Sequence, residues 1–139
     1  MKLLLDTNIW ISGLLWGGVP REIISLTENY LASIYISNSL LQELEDTLRK
    51  SKLQKRLKQL NYSEKDLIDT IKSVTILCQP LSILKVEELR DLKDKIVLEA
   101  GLSIPVDFII TGDLDLLVLD SFRGIKILNP NDFKLTILS

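Results

Sequence analysis

The run Leu3-Leu4-Leu5 closing on Asp6-Thr7-Asn8, within MKLLLDTNIWIS, is the tightest constraint on what this chain can fold into. Three consecutive large apolar residues leave no face for solvent, yet they are too few for a membrane span or for the apolar stretch of a signal peptide. A strand at the centre of a sheet covered on both faces accommodates them, and such sheets are parallel. The carboxylate that ends the strand then either caps the following helix or belongs to a site.

The rest of the pattern alternates strand and helix. Strands read at 2–6, 33–37 (SIYIS, β-branched and aromatic), 75–78 (TILC), 106–113 (VDFIITGD) and 125–128 (IKIL). Helical spacing follows the first strand, with Asp6 or Thr7 as N-cap and Gly17-Gly18 as terminator. Pro20 suits the first turn of a second helix over 20–32. Leu40, Leu41, Leu44 and Leu48 mark an amphipathic helix, and a basic helical stretch runs on to Leu60. Ser63 with Asp66 three positions later reads as a capping box. Two short helices are expected at 94–102, beginning near Lys95, and at 113–119. Strands separated by helices imply parallel pairing and a three-layer α/β fold. With 139 residues and no linker or repeat, the chain reads as a single domain over 1–139.

There is no histidine and only one cysteine, Cys78. Ser-His-Asp and Cys-His catalysis and the usual nitrogen–sulfur zinc sites are thereby excluded. The single thiol also excludes an intramolecular disulfide and suits a reducing compartment, so a cytoplasmic, membrane-free location is expected. Any metal must take oxygen ligands, which points to Mg²⁺ or Mn²⁺.

Four acids occupy comparable places: Asp6 after the first strand, Glu43 in the helix after the second, Asp94 opening a helix, and Asp113 after the fourth strand. Singly, Asp6, Asp94 and Asp113 are explained as N-caps worth about 1 kcal/mol each, and Glu43 as a solvated helical charge. Jointly they differ, because a parallel sheet brings its carboxyl ends together, where ligands of such folds bind. Two carboxylates 4 Å apart repel by roughly 4 kcal/mol at an effective dielectric near 20. A cluster of four invites a divalent cation, which in turn suits phosphodiester hydrolysis.

The blocks LLLDTNIWISGLLWGGVPREII, ISNSLLQELEDTL, RDLKDKIVLEAG and VDFIITGDLDLL, in this order over nearly the whole chain, resemble the PIN-domain nucleases. Within that family the resemblance is to the VapC-like toxin components of bacterial toxin–antitoxin pairs. It implies a five-stranded parallel sheet of order 3-2-1-4-5 flanked by helices, and Mg²⁺- or Mn²⁺-dependent endoribonuclease activity on single-stranded RNA. A homodimer and an antitoxin protein partner are implied as well. Carried over residue by residue, the catalytic and metal-binding acids fall on Asp6, Glu43, Asp94 and Asp113, with Asp115 as a fifth. Asn8, Ser37 and Thr111 match supporting polar positions. The chain departs from the family at Asp91-Leu92-Lys93-Asp94-Lys95, where relatives commonly read Asp-Pro-x-Asp-Asn; Asp94 rather than Asp91 is expected in the site, and Lys95 sets a cation beside it.

Residues 49–58 hold six basic side chains and no acid. They form either a solvated helix face or a phosphate-binding surface, with Arg49, Lys52, Lys55 and Arg56 as the RNA-contacting candidates; an antitoxin groove is a third reading. Trp10 and Trp16 are expected to pack in the core. Two other functions fit less well. A phosphoryl-transfer or phospho-acceptor domain built on Asp6 would want an acid where Asn8 stands, and a non-catalytic PIN-like binding module would have lost acids that are all present.

Overall fold

The computed structural model describes residues 1–79, 92–103 and 105–138. Its centre is β1 (Lys2–Leu5), whose Leu3, Leu4 and Leu5 are all buried. Successive strand side chains point to opposite faces, so burial of all three requires helices on both sides of the sheet. β1 pairs in parallel with β2 (Ser33–Ser37) on one side and β4 (Phe108–Ile110) on the other. β3 (Thr75–Cys78) extends the sheet beyond β2 and β6 (Ile125–Leu128) beyond β4.

The sheet carries a sixth strand, and its order is β3-β2-β1-β4-β6-β5. β5 (Ser121–Phe122) runs antiparallel to β6 across the two-residue turn Arg123-Gly124, both at positive φ. That is the twist a tight hairpin requires. The expected five-strand parallel order is thus preserved at its core. The addition was illegible because it is two residues long and its turn uses Arg where Asn or Asp is the usual signal.

The helices are α1 (Thr7–Leu15), α2 (Gly18–Ile24), α3 (Asn38–Leu48), α4 (Ser51–Leu60), α5 (Glu64–Val74), α6 (Leu92–Ser103), α7 (Leu114–Leu117) and α8 (Pro130–Phe133), the last followed by a π-helical turn at Lys134–Leu138. None is long and apolar enough to cross a membrane among the described residues. The helix expected over 20–32 stops at Ile24 and continues only as a 3-10 turn, Ser25–Thr27. Ser25 Oγ donates to the Glu22 carbonyl and Thr27 Oγ1 to that of Ile24. Such hydroxyls compete with the helical ladder for the last carbonyls, and Tyr30 at φ 57° then turns the chain into β2. α6 starts three residues earlier than Lys95, so Asp94 lies inside its first turn and is not its N-cap. The Ser63–Asp66 capping box forms as expected.

One contiguous cluster of buried residues joins all layers, from Leu3–Leu5 through Trp10, Leu40, Leu44, Val97 and Ile109 to Phe133. α6 packs against β1, β2 and α3, which brings its first turn to the carboxyl end of the sheet.

Candidate metal centre at the carboxyl ends of the strands

Strand register builds the site. Leu5 lies opposite Ile110, and the Asp6 amide donates to the Ile110 carbonyl at 3.0 Å. One step further along the strands, Asp6 meets Thr111. Thr111 Oγ1 donates to Asp6 Oδ2 at 2.8 Å and accepts from the Asp113 amide at 3.0 Å. A single buried hydroxyl therefore ties the acid after β1 to the acid after β4. Asp6 Oδ1 accepts the Thr7 amide at 2.7 Å, making Asp6 the N-cap of α1 as well as a residue of the site. Asp113 likewise caps α7, accepting from the Asp115 amide at 2.9 Å.

Asp6, Glu43, Asp94 and Asp113 line one cleft of about 150 Å³, together with Thr7, Asn8, Thr47 and Lys50. All four acids singled out in the sequence are brought together. Asp94 is 3% exposed and Asp6 is 8% exposed, so the cleft floor is carboxylate taken out of bulk water. Carboxylate oxygens of Asp94, Asp113 and Asp115 lie within 4.8 Å of one another, which joins the fifth acid to the cluster from its exposed side. These donors are oxygens only, and at such spacing their charges repel by roughly 3 kcal/mol per pair before solvent screening. Thr7 Oγ1 is buried at the same place with no hydrogen-bond partner among the described residues, an uncommon condition for a hydroxyl.

Ser37 does not line the cleft. It is fully buried and caps α3, accepting from the Leu40 amide at 3.2 Å. Lys95 is turned away: its Nζ lies 3.7 Å from Glu99 Oε1, one helical turn on. Asp91 falls outside the described residues. The basic run divides. Arg49 faces Asp46 and Glu64 at 3.7 and 3.8 Å, and Arg56 Nε donates to the Leu15 carbonyl at 3.0 Å. Lys52 and Lys55 are exposed.

A sequence-family description, PIN domain, matches residues 2–115. The chain belongs to the PIN-domain family. The fold of this PIN domain is similar to that of a chain in the crystal structure of VapBC2 from Rickettsia felis bound to a DNA fragment from their promoter. That likeness has a TM-score of 0.66 and 14% identity, and it covers 93% of this chain and 98% of the other. No curated protein matches this chain in sequence.

Thr47 and Lys50 of the PIN domain's cleft were missed from sequence. Thr47 follows Glu43 by four residues on α3 and so shares its face, whereas Lys50 lies beyond the end of α3, as the N-cap of α4, where helical spacing does not reach. Treating the basic run as a unit hid Lys50, the one of its members that lines the acidic cleft.

Proposed function

We propose that this PIN domain is a Mg²⁺- or Mn²⁺-dependent endoribonuclease acting on single-stranded RNA, the toxin of a toxin–antitoxin pair. The observation that carries the reading is the convergence of Asp6, Glu43, Asp94 and Asp113 on one cleft at the carboxyl ends of parallel strands. Hard, all-oxygen donors are what Mg²⁺ and Mn²⁺ require, and the orphan Thr7 hydroxyl beside them is a ready partner for their hydration water. The residues therefore fit the ion. Asp94, Asp113 and Asp115 would hold it, with Asp6 and Glu43 as further carboxylates of the same cleft. When bound, a divalent cation supplies charge for the phosphate and acidity for water.

The chain's own residues do the rest. Thr111 fixes the Asp6 carboxylate through its hydroxyl and sets the turn that presents Asp113. Glu43 stands on a separate element, α3, as the carboxylate to accept a proton from the attacking water. Lys50 offers an ammonium to the phosphate from the cleft wall. A phospho-acceptor role for Asp6 would leave the other three acids without a task, and a pure binding module would have no use for the cluster.

The toxin assignment draws on the VapBC2 likeness. The family resemblance adds to the proposal an antitoxin protein as partner, a second copy of the chain as dimer mate and a cytoplasmic site of action. The deciding experiment is a Mn²⁺ and Mg²⁺ titration of the purified chain, followed by melting and by cleavage of a single-stranded RNA. At about 100 times its dissociation constant an ion binding only the folded state adds about 2.7 kcal/mol, a rise in Tm of about 5–10 °C for a chain of this size. Cleavage should appear with either ion and vanish with EDTA. No shift and no cleavage with either ion overturns the reading.

A further inference from the structure

The far end of α1 holds a feature that the cleft chemistry leaves unused. Trp16, expected to pack, is 51% exposed, whereas Trp10 on the same helix is 1% exposed. The Arg56 guanidinium lies 5.4 Å from the centroid of the Trp16 ring, within cation–π range. Arg56 is not free to wander, since its Nε donates to the Leu15 carbonyl at 3.0 Å and a terminal nitrogen donates to Gln59 at 3.2 Å. The result is a large aromatic ring, held by a fixed cation and open to solvent.

This pair is connected to the cleft by two helices. α1 begins at Thr7 in the cleft wall, and α4 begins directly after Lys50 in the same wall. Both lead to the Trp16–Arg56 pair. From Thr7 to Trp16 the rise is about 14 Å at 1.5 Å per residue, the reach of a few nucleotides of extended strand. Along the way α4 exposes Lys52 and Lys55, and the run from 49 to 58 contains no acid. An aromatic face beside a basic track is the combination that holds single strands: cations follow the backbone while bases stack on the ring. A protein partner seeking the exposed ring would have no need of that uninterrupted positive charge.

We propose that Trp16, with Arg56 behind it, is a base-stacking platform for the strand whose scissile phosphate lies in the acidic cleft. Lys50 meets the phosphate at the cleft, and Lys52 and Lys55 meet those between. Because any base presents a π face, the platform grips single strands without reading their sequence. The proposal rests on the ribonuclease reading, and the experiment separates the two.

The chain has two tryptophans, one buried and one exposed, so the solvent-quenchable emission belongs to Trp16. With Ca²⁺ in place of Mn²⁺, a single-stranded RNA decamer should quench that emission, and a blunt RNA duplex of the same length should not. Trp16→Ala should weaken decamer affinity between about 5-fold and 150-fold, the span of one base–aromatic stack, and Trp16→Phe should restore most of it. Wild-type hydrolysis of bis(4-nitrophenyl) phosphate with Mn²⁺, a substrate too small to reach Trp16, tests the catalytic cleft by itself. Quenching without hydrolysis of either substrate sinks the ribonuclease reading and leaves Trp16 as a stacking platform for a bound strand that is not cut. Unquenched emission together with unchanged decamer affinity in Trp16→Ala overturns the platform and assigns the ring to a protein partner.

Discussion

Thr111 is the residue through which the two halves of the site communicate. Its hydroxyl donates to Asp6 and accepts from the Asp113 backbone, and it is fully buried. Valine has the same shape without the hydroxyl, so Thr111→Val removes both hydrogen bonds and leaves the packing nearly intact. Partners of metal-ligating groups typically contribute 10- to 100-fold in affinity or activity. Thr111→Val should therefore lower Mn²⁺ affinity and RNA cleavage by that range, read by calorimetric titration and initial rates. A variant with wild-type values for both would remove Thr111 from the site. Asp94 makes the complementary case. Its carboxylate is buried within 4.8 Å of those of Asp113 and Asp115. Asp94→Asn keeps the side chain's size and removes one carboxylate from the group that would hold the ion. With Mn²⁺ the wild-type rise in Tm should be lost in the variant and cleavage abolished. A variant that melts normally, responds to Mn²⁺ and cleaves RNA would strike Asp94 from the metal site, whereas Asp91→Asn should retain much of the activity.

At the scale of elements, helix ends serve the site and the fold at once. The carbonyls of the last turn of α1 are all taken: Ser12 by the Trp16 and Gly17 amides, Gly13 and Leu14 by Arg21, and Leu15 by Arg56. Two guanidiniums at a helix C-terminus complement its dipole and leave its N-terminus, with Asp6, aimed at the cleft. α5 shows the same economy at its start. Hydrogen bonds from the Ser63 backbone amide and then from its hydroxyl hold the Asp66 carboxyl below the ordinary aspartate value. A carboxyl lowered in the folded state stabilises above its unfolded pKa of about 3.9, and that contribution is lost as pH falls through the lower folded value. The Tm gap between wild type and Asp66→Ala should accordingly stay level from pH 7 to about 5 and close below about pH 4. A gap that widens in acid would refute the linkage. The capping box, the central strand and the parallel order were legible in the sequence because each is written in neighbouring residues or in an unbroken apolar run. The early stop of α2, the early start of α6 and the β5 hairpin were not. They depend on hydroxyls that compete for carbonyls, on where a helix meets the sheet, and on a turn residue outside its usual set.

For the whole molecule, the near-neutral balance of −2 conceals a separation of charge: acids converge in the cleft, and six basic side chains lie between residues 49 and 58. The four acids could be read from the sequence because each sits where a strand or its following helix meets the sheet's carboxyl end, a position topology alone defines. The basic residues could not be sorted that way, since their roles depend on which helix face meets which neighbour. Folding breaks the equivalence of Arg49, Lys52, Lys55 and Arg56. Arg49 faces two carboxylates, Asp46 and Glu64, and Arg56 is committed to Leu15 and Trp16. Lys52 and Lys55 remain exposed on α4. For a single strand, each phosphate neutralised contributes about −0.7 to the slope of log affinity against log salt concentration. Replacing Lys52 and Lys55 together with Ala should therefore flatten the slope for single-stranded RNA by about 1.4, and Arg49→Ala should change it little, because the charge it removes is already offset locally. Fluorescence anisotropy of a labelled RNA between about 50 and 300 mM KCl measures both. Equal effects from Arg49 and from the two lysines would mean that α4 contributes only general positive charge, with no track leading out of the cleft.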